Sequence, residues 1–208
     1  FLKAVLHRRR KYYGDGVIAL DCGANIGVHT VSWARMMTTW GHVVSIEAQE
    51  KIYYALCGNV TINNCFNVTA KNYAVGLENG SLMIPEPNYY KPSSYGSLEL
   101  KDHPEKENIG QEIINKKEVG MIAVDSIPFT RLDLIKIDVE RMEREVLNGA
   151  WETIDKFKPV LFIEIAKCDV EADLQAHGYK TYKLGANLLA VHESDPMQVN
   201  VTEQGVTI

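Results

Sequence analysis

Apolar residues recur at helical spacing at the start of the chain, where Phe1, Leu2, Val5 and Leu6 mark one face. A basic run from Arg8 to Lys11 follows, and Gly14 and Gly16 end the helix, so residues 1–16 read as an N-terminal helix with cations at its C-terminal end. Val17 to Leu20 is a short apolar run, then the turn Asp21-Cys22-Gly23-Ala24-Asn25-Ile26-Gly27, then a helical segment from about Val28 to Thr39. His42 to Ile46 reads as a second buried strand ending at Glu47. Tyr53, Leu56 and Val60 predict a helix between Lys51 and Asn63, and Asn67 to Val75 supplies a third strand. Repeated strand-helix units require crossovers, and crossovers make parallel sheets with helices on both faces. The fold class is α/β.

From Gly76 to about Gly120 the pattern loosens. Pro85, Pro87, Pro92 and Pro104, paired tyrosines and the charged stretch from Lys101 to Glu107 interrupt it, and a connection this long reads as an excursion or lid over a site. Order resumes at Met121 to Val124. Leu132 to Ile137 is a strongly apolar strand ending in Asp138, followed by a helix from about Arg141 to Lys156 and a strand from Val160 to Ile165. A short helix, Val170 to His177, stops at Gly178, and Tyr179 to Lys183 with Asn187 to Val191 form a hairpin around Gly185, which predicts an antiparallel edge. The whole chain reads as one domain, with residues 197–208 as a tail of no clear pattern.

The composition agrees. The 208 residues are 46% hydrophobic and 24% charged, the range of one compact domain. Lys and Arg number 22 against 27 Asp and Glu, a net charge of -5, so no positive field draws a nucleic acid. No apolar stretch approaches the roughly 20 residues that cross a bilayer, and no signal peptide is visible, which places the expected partner away from membranes and the protein in the cytoplasm. Phe1 rather than Met opens the chain, which leaves room for an upstream segment. Cys22, Cys57, Cys65 and Cys168 lack metal-ligand spacing and read as inert thiols, and the Asn-x-Ser/Thr matches at Asn59, Asn67, Asn79 and Asn200 read as chance.

The chemistry concentrates at Asp21-x-Gly23-x-Asn25-x-Gly27 and at Glu47. Glycines let the backbone turn sharply and approach a ligand, and a carboxylate beyond the second strand can accept hydrogen bonds from both hydroxyls of a ribose. The loop lacks the middle glycine of the GxGxxG pyrophosphate cradle, which counts against an NAD-dependent oxidoreductase and suits S-adenosyl-L-methionine, which has no pyrophosphate.

Around these positions the chain resembles the FkbM family of S-adenosylmethionine-dependent methyltransferases. The resemblance runs through Val17 to Thr30, Ile46-Glu47, Asn59 to Val68 and Tyr73-Ala74-Val75. It continues through Ser94 to Leu98, Leu132 to Glu140, Glu143, Val146 to Ala150 and Pro159 to Glu164. It implies a Rossmann-like methyltransferase fold in which Asp21, Gly23, Ala24, Asn25 and Gly27 form the loop at the methionine end and Glu47 holds the ribose. It further implies that Ala74 and Val75 flank the adenine and that Ser97 closes over the cofactor or acceptor. The acceptor it implies is a hydroxyl on a sugar or natural product, with O-methylation as the reaction. Two positions depart from the family pattern: Arg141 stands where Gly is usual, and Ala48 where Pro is usual.

Asp138 ends a strand on the edge where parallel sheets bind ligands, so it is the candidate general base, against a plain role capping the next helix. Glu140 is the candidate second acid or acceptor ligand, and Glu143 shares its face of the helix's first turn. Lys136 is an odd residue in an apolar strand and pairs with a carboxylate or snorkels outward; His29 touches the cofactor or caps its helix. No metal is assigned, although Glu164 beside Asp138 opens a magnesium alternative. Tyr89, Tyr90 and Tyr95 are available to stack on an acceptor. A cofactor-binding module without turnover is the rival reading from another class, motivated by Arg141.

Overall fold

Strand residues of alternating direction feed two separate cores, one on each face of a seven-stranded sheet. In β1 (Val17–Cys22), Leu20 and Cys22 join one core, while Val17 and Ala19 join the other. The same split divides Val44 and Ile46 from Val43 in β2 (Gly41–Ile46). This is the period-two rule for a sheet covered on both faces. The computed structural model describes residues 1–101, 111–165, 168–197, 199–202 and 205–208.

The face of Val17 and Ala19 carries α1 (Leu2–Tyr13), through Leu2, Val5 and Leu6, and α2 (Val28–Met36), through Trp33 and Ala34. Each such side chain contributes about 1.5–3 kcal/mol when fully buried. Next come α3 (Glu50–Ile62) and β3 (Val68–Lys71), parallel to β2. The predicted third strand therefore divides: after Asn72 and Tyr73 the chain leaves the main sheet, and β4 (Ala74–Val75) joins a second one.

That second sheet corrects the expectation of a loose excursion. β5 (Gly80–Pro87) and β6 (Ile113–Ile122) pair antiparallel, and Ala74-Val75 of β4 lie parallel to Met121-Ile122. β5 is an edge strand, where Pro85 and Pro87 are tolerated because no ladder partner is required on their free side. The segment 88–101 leaves this sheet and lies over the main one, while Pro104 and the stretch 102–107 fall outside the described residues.

A single 3-10 turn, Val124–Ser126, leads to β7 (Leu134–Ile137), which pairs parallel with β1 and with β8 (Val160–Glu164). Between them the one expected helix is two, α4 (Glu143–Asn148) and α5 (Trp151–Phe157). Gly149 lies between them, and position 149 has no room for a side chain, because a Cβ there would lie 2.3 Å from the Gly76 carbonyl oxygen. After α6 (Glu171–Ala176), β9 (Tyr179–Leu184) and β10 (Asn187–His192) form the expected hairpin. The order is β3-β2-β1-β7-β8-β10-β9. The antiparallel strand β10 thus lies one place in from the edge, and β9 forms the edge. β11 (Asn200–Thr202) and β12 (Gly205–Thr207) pair antiparallel near the C-terminus.

At the far side of the sheet, buried Arg9 ties α1 down by pairing with Asp133 at 3.2 Å and with Asp195. The opposite side, where β1, β2, β7 and β8 all end, is the side that carries the site.

Candidate active site

The loop after β1 is pinned to the end of β2: the N–H groups of Gly23 and Ala24 both donate to the Ile46 carbonyl at 3.0 Å. Gly23 adopts φ +74°, and a Cβ on it would come within 1.7 Å of the Asp138 carbonyl oxygen. Only glycine permits this approach of the two strand ends. The Asp138 N–H donates to the Cys22 carbonyl at 3.2 Å, so the turn after β1 and the end of β7 are joined backbone to backbone.

Glu47, at the end of β2, is 7% exposed. Its Oε2 accepts the Asn25 N–H at 2.9 Å and its Oε1 accepts the Gln49 N–H at 2.8 Å. Burial pushes its pKa up, and the two backbone donors work against that shift. Each oxygen retains acceptor capacity for one further hydroxyl. Glu47 and Asn25 line a cavity of about 60 Å³ together with the apolar Ala74, Val75, Leu98 and Leu100 and the acidic Asp138 and Glu140. A cavity that combines apolar walls with a carboxylate matches a nucleoside, an aromatic base joined to a vicinal diol.

The roof of the cavity is the segment after β5. Gly96 lies against Asn25, where a Cβ would meet its amide nitrogen at 2.1 Å, and the Gln49 amide donates to the Tyr95 carbonyl at 2.8 Å. A much larger groove, about 620 Å³, runs outside α2 and α3 past Lys3, Val28, Arg35 and Asn59. It is open and its lining holds no carboxylate, so we place the site at the smaller, chemically equipped cavity.

The β7 side supplies charge. Lys136 is buried, with Nζ 3.1 Å from Asp138 Oδ2, 3.4 Å from Asp21 Oδ1 and 3.3 Å from the Gly23 carbonyl. Burial pulls its pKa down, but the Asp21 and Asp138 carboxylates outweigh that and leave it raised, so the ammonium persists. Asp21 in turn accepts from Thr30 Oγ1 at 2.7 Å, and Thr30 meets Ser45 at 2.8 Å. Asp138, Glu140 and Glu164 each bring one carboxylate oxygen within 4.8 Å of the others, which is, among the described residues, the grouping with the spacing to hold a cation. Burial and the neighbouring Asp138 and Glu140 carboxylates push Glu164 up to about 7.

Glu140 and Arg141 both take left-handed backbone conformations, with φ +52° and +77°. Buried Glu143 holds them there: its Oε1 accepts the N–H groups of Val139 and Arg141, each at 3.2 Å. The Arg141 Nε donates to Glu99 Oε1 at 2.7 Å.

Of the residues singled out from sequence, Gly23, Asn25, Glu47, Ala74, Val75, Asp138 and Glu140 meet around one cavity. Asp21 and Ala24 are buried beneath it, and Gly27, at φ +90°, packs against Leu56. Ser97 does not reach the cavity wall, and its hydroxyl pairs with Ser94 at 3.1 Å. Tyr89 and Tyr95 pack on one another with ring centres 5.0 Å apart, while Tyr90 is fully exposed. His29 packs against Trp33 with the rings tilted by 34°. Sequence reasoning missed Gln49, Tyr73, Leu98 and Leu100 in the lining; the apolar Leu98 and Leu100 inside a polar stretch were the available signal.

The family model described as the methyltransferase FkbM domain matches residues 21–181. Among solved structures, methyltransferase FkbM from Methylobacillus flagellatus KT superposes with a TM-score of 0.57 at 17% identity, over 86% of this chain and 43% of that one. This chain therefore spans less than half of that protein's length. A methyltransferase from Geobacter sulfurreducens aligns with a TM-score of 0.51 at 10% identity, covering 92% of this chain and 78% of that one. A putative methylase from Haemophilus influenzae aligns at 0.50 and 11% identity, covering 92% and 97%. At these identities the likeness is one of fold. No curated protein sequence matches the chain.

Proposed function

This chain belongs to the FkbM methyltransferase family, and from that premise we propose that it transfers a methyl group from S-adenosyl-L-methionine to a hydroxyl oxygen on a neutral small molecule, a sugar or natural-product alcohol. The observation that carries the reading is that Glu47 and Asp138, from the ends of two different strands, line one cavity whose walls include Ala74, Val75, Leu98 and Leu100. When bound, the cofactor supplies an electrophilic methyl group on a cationic sulfur.

Glu47 would hold the ribose hydroxyls with the acceptor capacity its backbone donors leave, Ala74, Val75, Leu98 and Leu100 would wall the base, and the Gly23–Asn25 turn would back the methionine end. Asp138 would accept the proton of the acceptor hydroxyl. Lys136 keeps that carboxylate fixed. Glu140 adds negative charge beside it, which repels anionic acceptors, and the Glu140 and Glu164 carboxyl groups offer hydrogen-bond partners to neighbouring hydroxyls of a polyol. Alignment of the reacting atoms supplies several kcal/mol, and the base adds about 10²- to 10⁴-fold. Four free cysteines support a reducing compartment, and we place the reaction in the cytoplasm.

Calorimetry with S-adenosylmethionine and S-adenosylhomocysteine, followed by a screen of hydroxylated acceptors for S-adenosylhomocysteine release, tests the proposal. Binding lost in Glu47→Ala and kept in Asp138→Asn, with turnover lost in Asp138→Asn, is the expected result. Absence of binding to the wild type overturns it. Binding without turnover on any acceptor would instead identify a cofactor-binding module.

A further inference from the structure

Arg141 sits at φ +77°, a conformation that favours glycine, directly after Glu140, which is also left-handed. Its side chain reaches across to the roof of the cavity. The guanidinium, 14% exposed, donates from Nε to Glu99 Oε1 at 2.7 Å, and the Glu99 side chain is 4% exposed. Glu99 lies between Leu98 and Leu100, both cavity walls, and Arg141 follows Glu140, on the cavity rim. One largely buried ion pair thus joins roof to rim on the β7 side. On the β2 side the same roof is tied by a neutral hydrogen bond from Gln49 to Tyr95 and by the seating of Gly96 on Asn25. A charge-assisted pair shielded from water is the stronger tie. The exposed pair of Lys101 with Glu145 adds little, because solvent screens it.

The cavity under this roof, about 60 Å³, is far below the roughly 300 Å³ and more of small-molecule sites in general. A nucleoside therefore enters only if the roof moves. We infer that Arg141, acting through Glu99, is a positioning residue that clamps the Gly96–Leu100 segment over the cofactor cavity and sets the rate at which the cofactor enters and leaves. The gating half of this inference rests on the function proposed above; the clamp itself does not.

Hydrogen exchange of the ligand-free protein, read by mass spectrometry over peptides covering residues 94–101, tests the clamp in Arg141→Gly and Glu99→Gln. Arg141→Gly gives the backbone the residue its φ favours, so global melting is expected to hold or rise while the roof loosens. Glu99→Gln weakens the same pair without touching the strained position. Both variants are expected to exchange about tenfold faster in that segment, with peptides of β7 unchanged. Stopped-flow binding of S-adenosylhomocysteine is expected to show association and dissociation both accelerated. Wild-type exchange in the segment for both variants overturns the clamp, and faster exchange with unchanged binding rates overturns its gating role. If S-adenosylhomocysteine binds none of the proteins, the methyltransferase reading and the gating role fall together, while the exchange result still decides the clamp.

Discussion

Lys136 stands between Asp138 and Asp21, 3.1 Å from one carboxylate and 3.4 Å from the other, so a single buried ammonium serves the ends of two neighbouring strands. Asp21 and Lys136 are direct partners in the pairing of β1 with β7, which makes the contact a product of strand register. Removing one member of such a pair leaves a buried charge uncompensated. Lys136→Met is therefore expected to cost about 3 kcal/mol in urea unfolding. Adding Asp21→Asn to it should recover part of that loss. Additive losses in the double variant would show that the two groups do not interact.

The contact between Gly23 and the Asp138 carbonyl predicts opposite outcomes for two glycine-to-alanine changes. Gly23→Ala places a methyl where the backbone of β7 already stands, and its positive φ adds strain, so a loss of about 3 kcal/mol or more is expected. Gly58, inside α3, has nothing within 4 Å of its would-be Cβ. Gly58→Ala is expected to gain about 0.5–1 kcal/mol through helix propensity. Paired thermal melts of the two variants check both signs.

Glu164, pushed up to about 7 by burial and by Asp138 and Glu140, is protonated in the folded chain where an ordinary carboxyl, at 4.5, has already ionised. Between those two values the folded state holds the extra proton, so this group's contribution to stability falls as pH rises from about 4.5 and levels off above about 7. Glutamine has no proton to lose. Glu164→Gln should match the wild type below pH 4.5 and exceed it above pH 7, by about 1 kcal/mol after allowing for solvent at a half-buried group. Urea melts across that range in a chelating buffer would show it; a pH-independent difference would refute the assignment.

Arg9 predicts the fate of the N-terminal helix. It is 5% exposed and pairs with Asp133 and Asp195, while Asp133 is also held by Arg131 at 2.7 Å and by the Ile18 N–H at 2.9 Å. Arg9→Met leaves Asp195 without its buried cation and should cost about 3 kcal/mol. Faster proteolytic cleavage within residues 1–16 would accompany it, whereas cleavage confined to other regions would argue that α1 is anchored by Val5 and Leu6 alone.

Much of the parallel sheet was legible from sequence because β1, β2, β7 and β8 are apolar on both faces, a pattern that needs no knowledge of their partners. The turn from Asp21 to Gly27 was legible for a similar reason, since its glycines answer local backbone demands. What escaped was set by distant contacts. β6 is exposed along Ile113–Glu118 and shows no apolar alternation, so its pairing with β5 left no local trace. The close seating of Gly149, between α4 and α5, against the Gly76 carbonyl is likewise a contact with a distant segment. Lys136 looked anomalous in an apolar strand; only the register that sets it beside Asp21 explains it. The roles of Glu99 and Arg141 depend on the roof folding back onto β7, which neither residue announces.

The contact of Gly23 with the Asp138 carbonyl also has a consequence for divergence. The distance between the two halves of the cavity is a sum of backbone radii, and no choice of side chain at either position can lengthen or shorten it without breaking the fold. Any variation in what a cavity of this build admits must then be written elsewhere, in the roof and in residues 140–143. The spacing of the β1 turn from the end of β7 behaves as a fixed ruler against which those surfaces are cut.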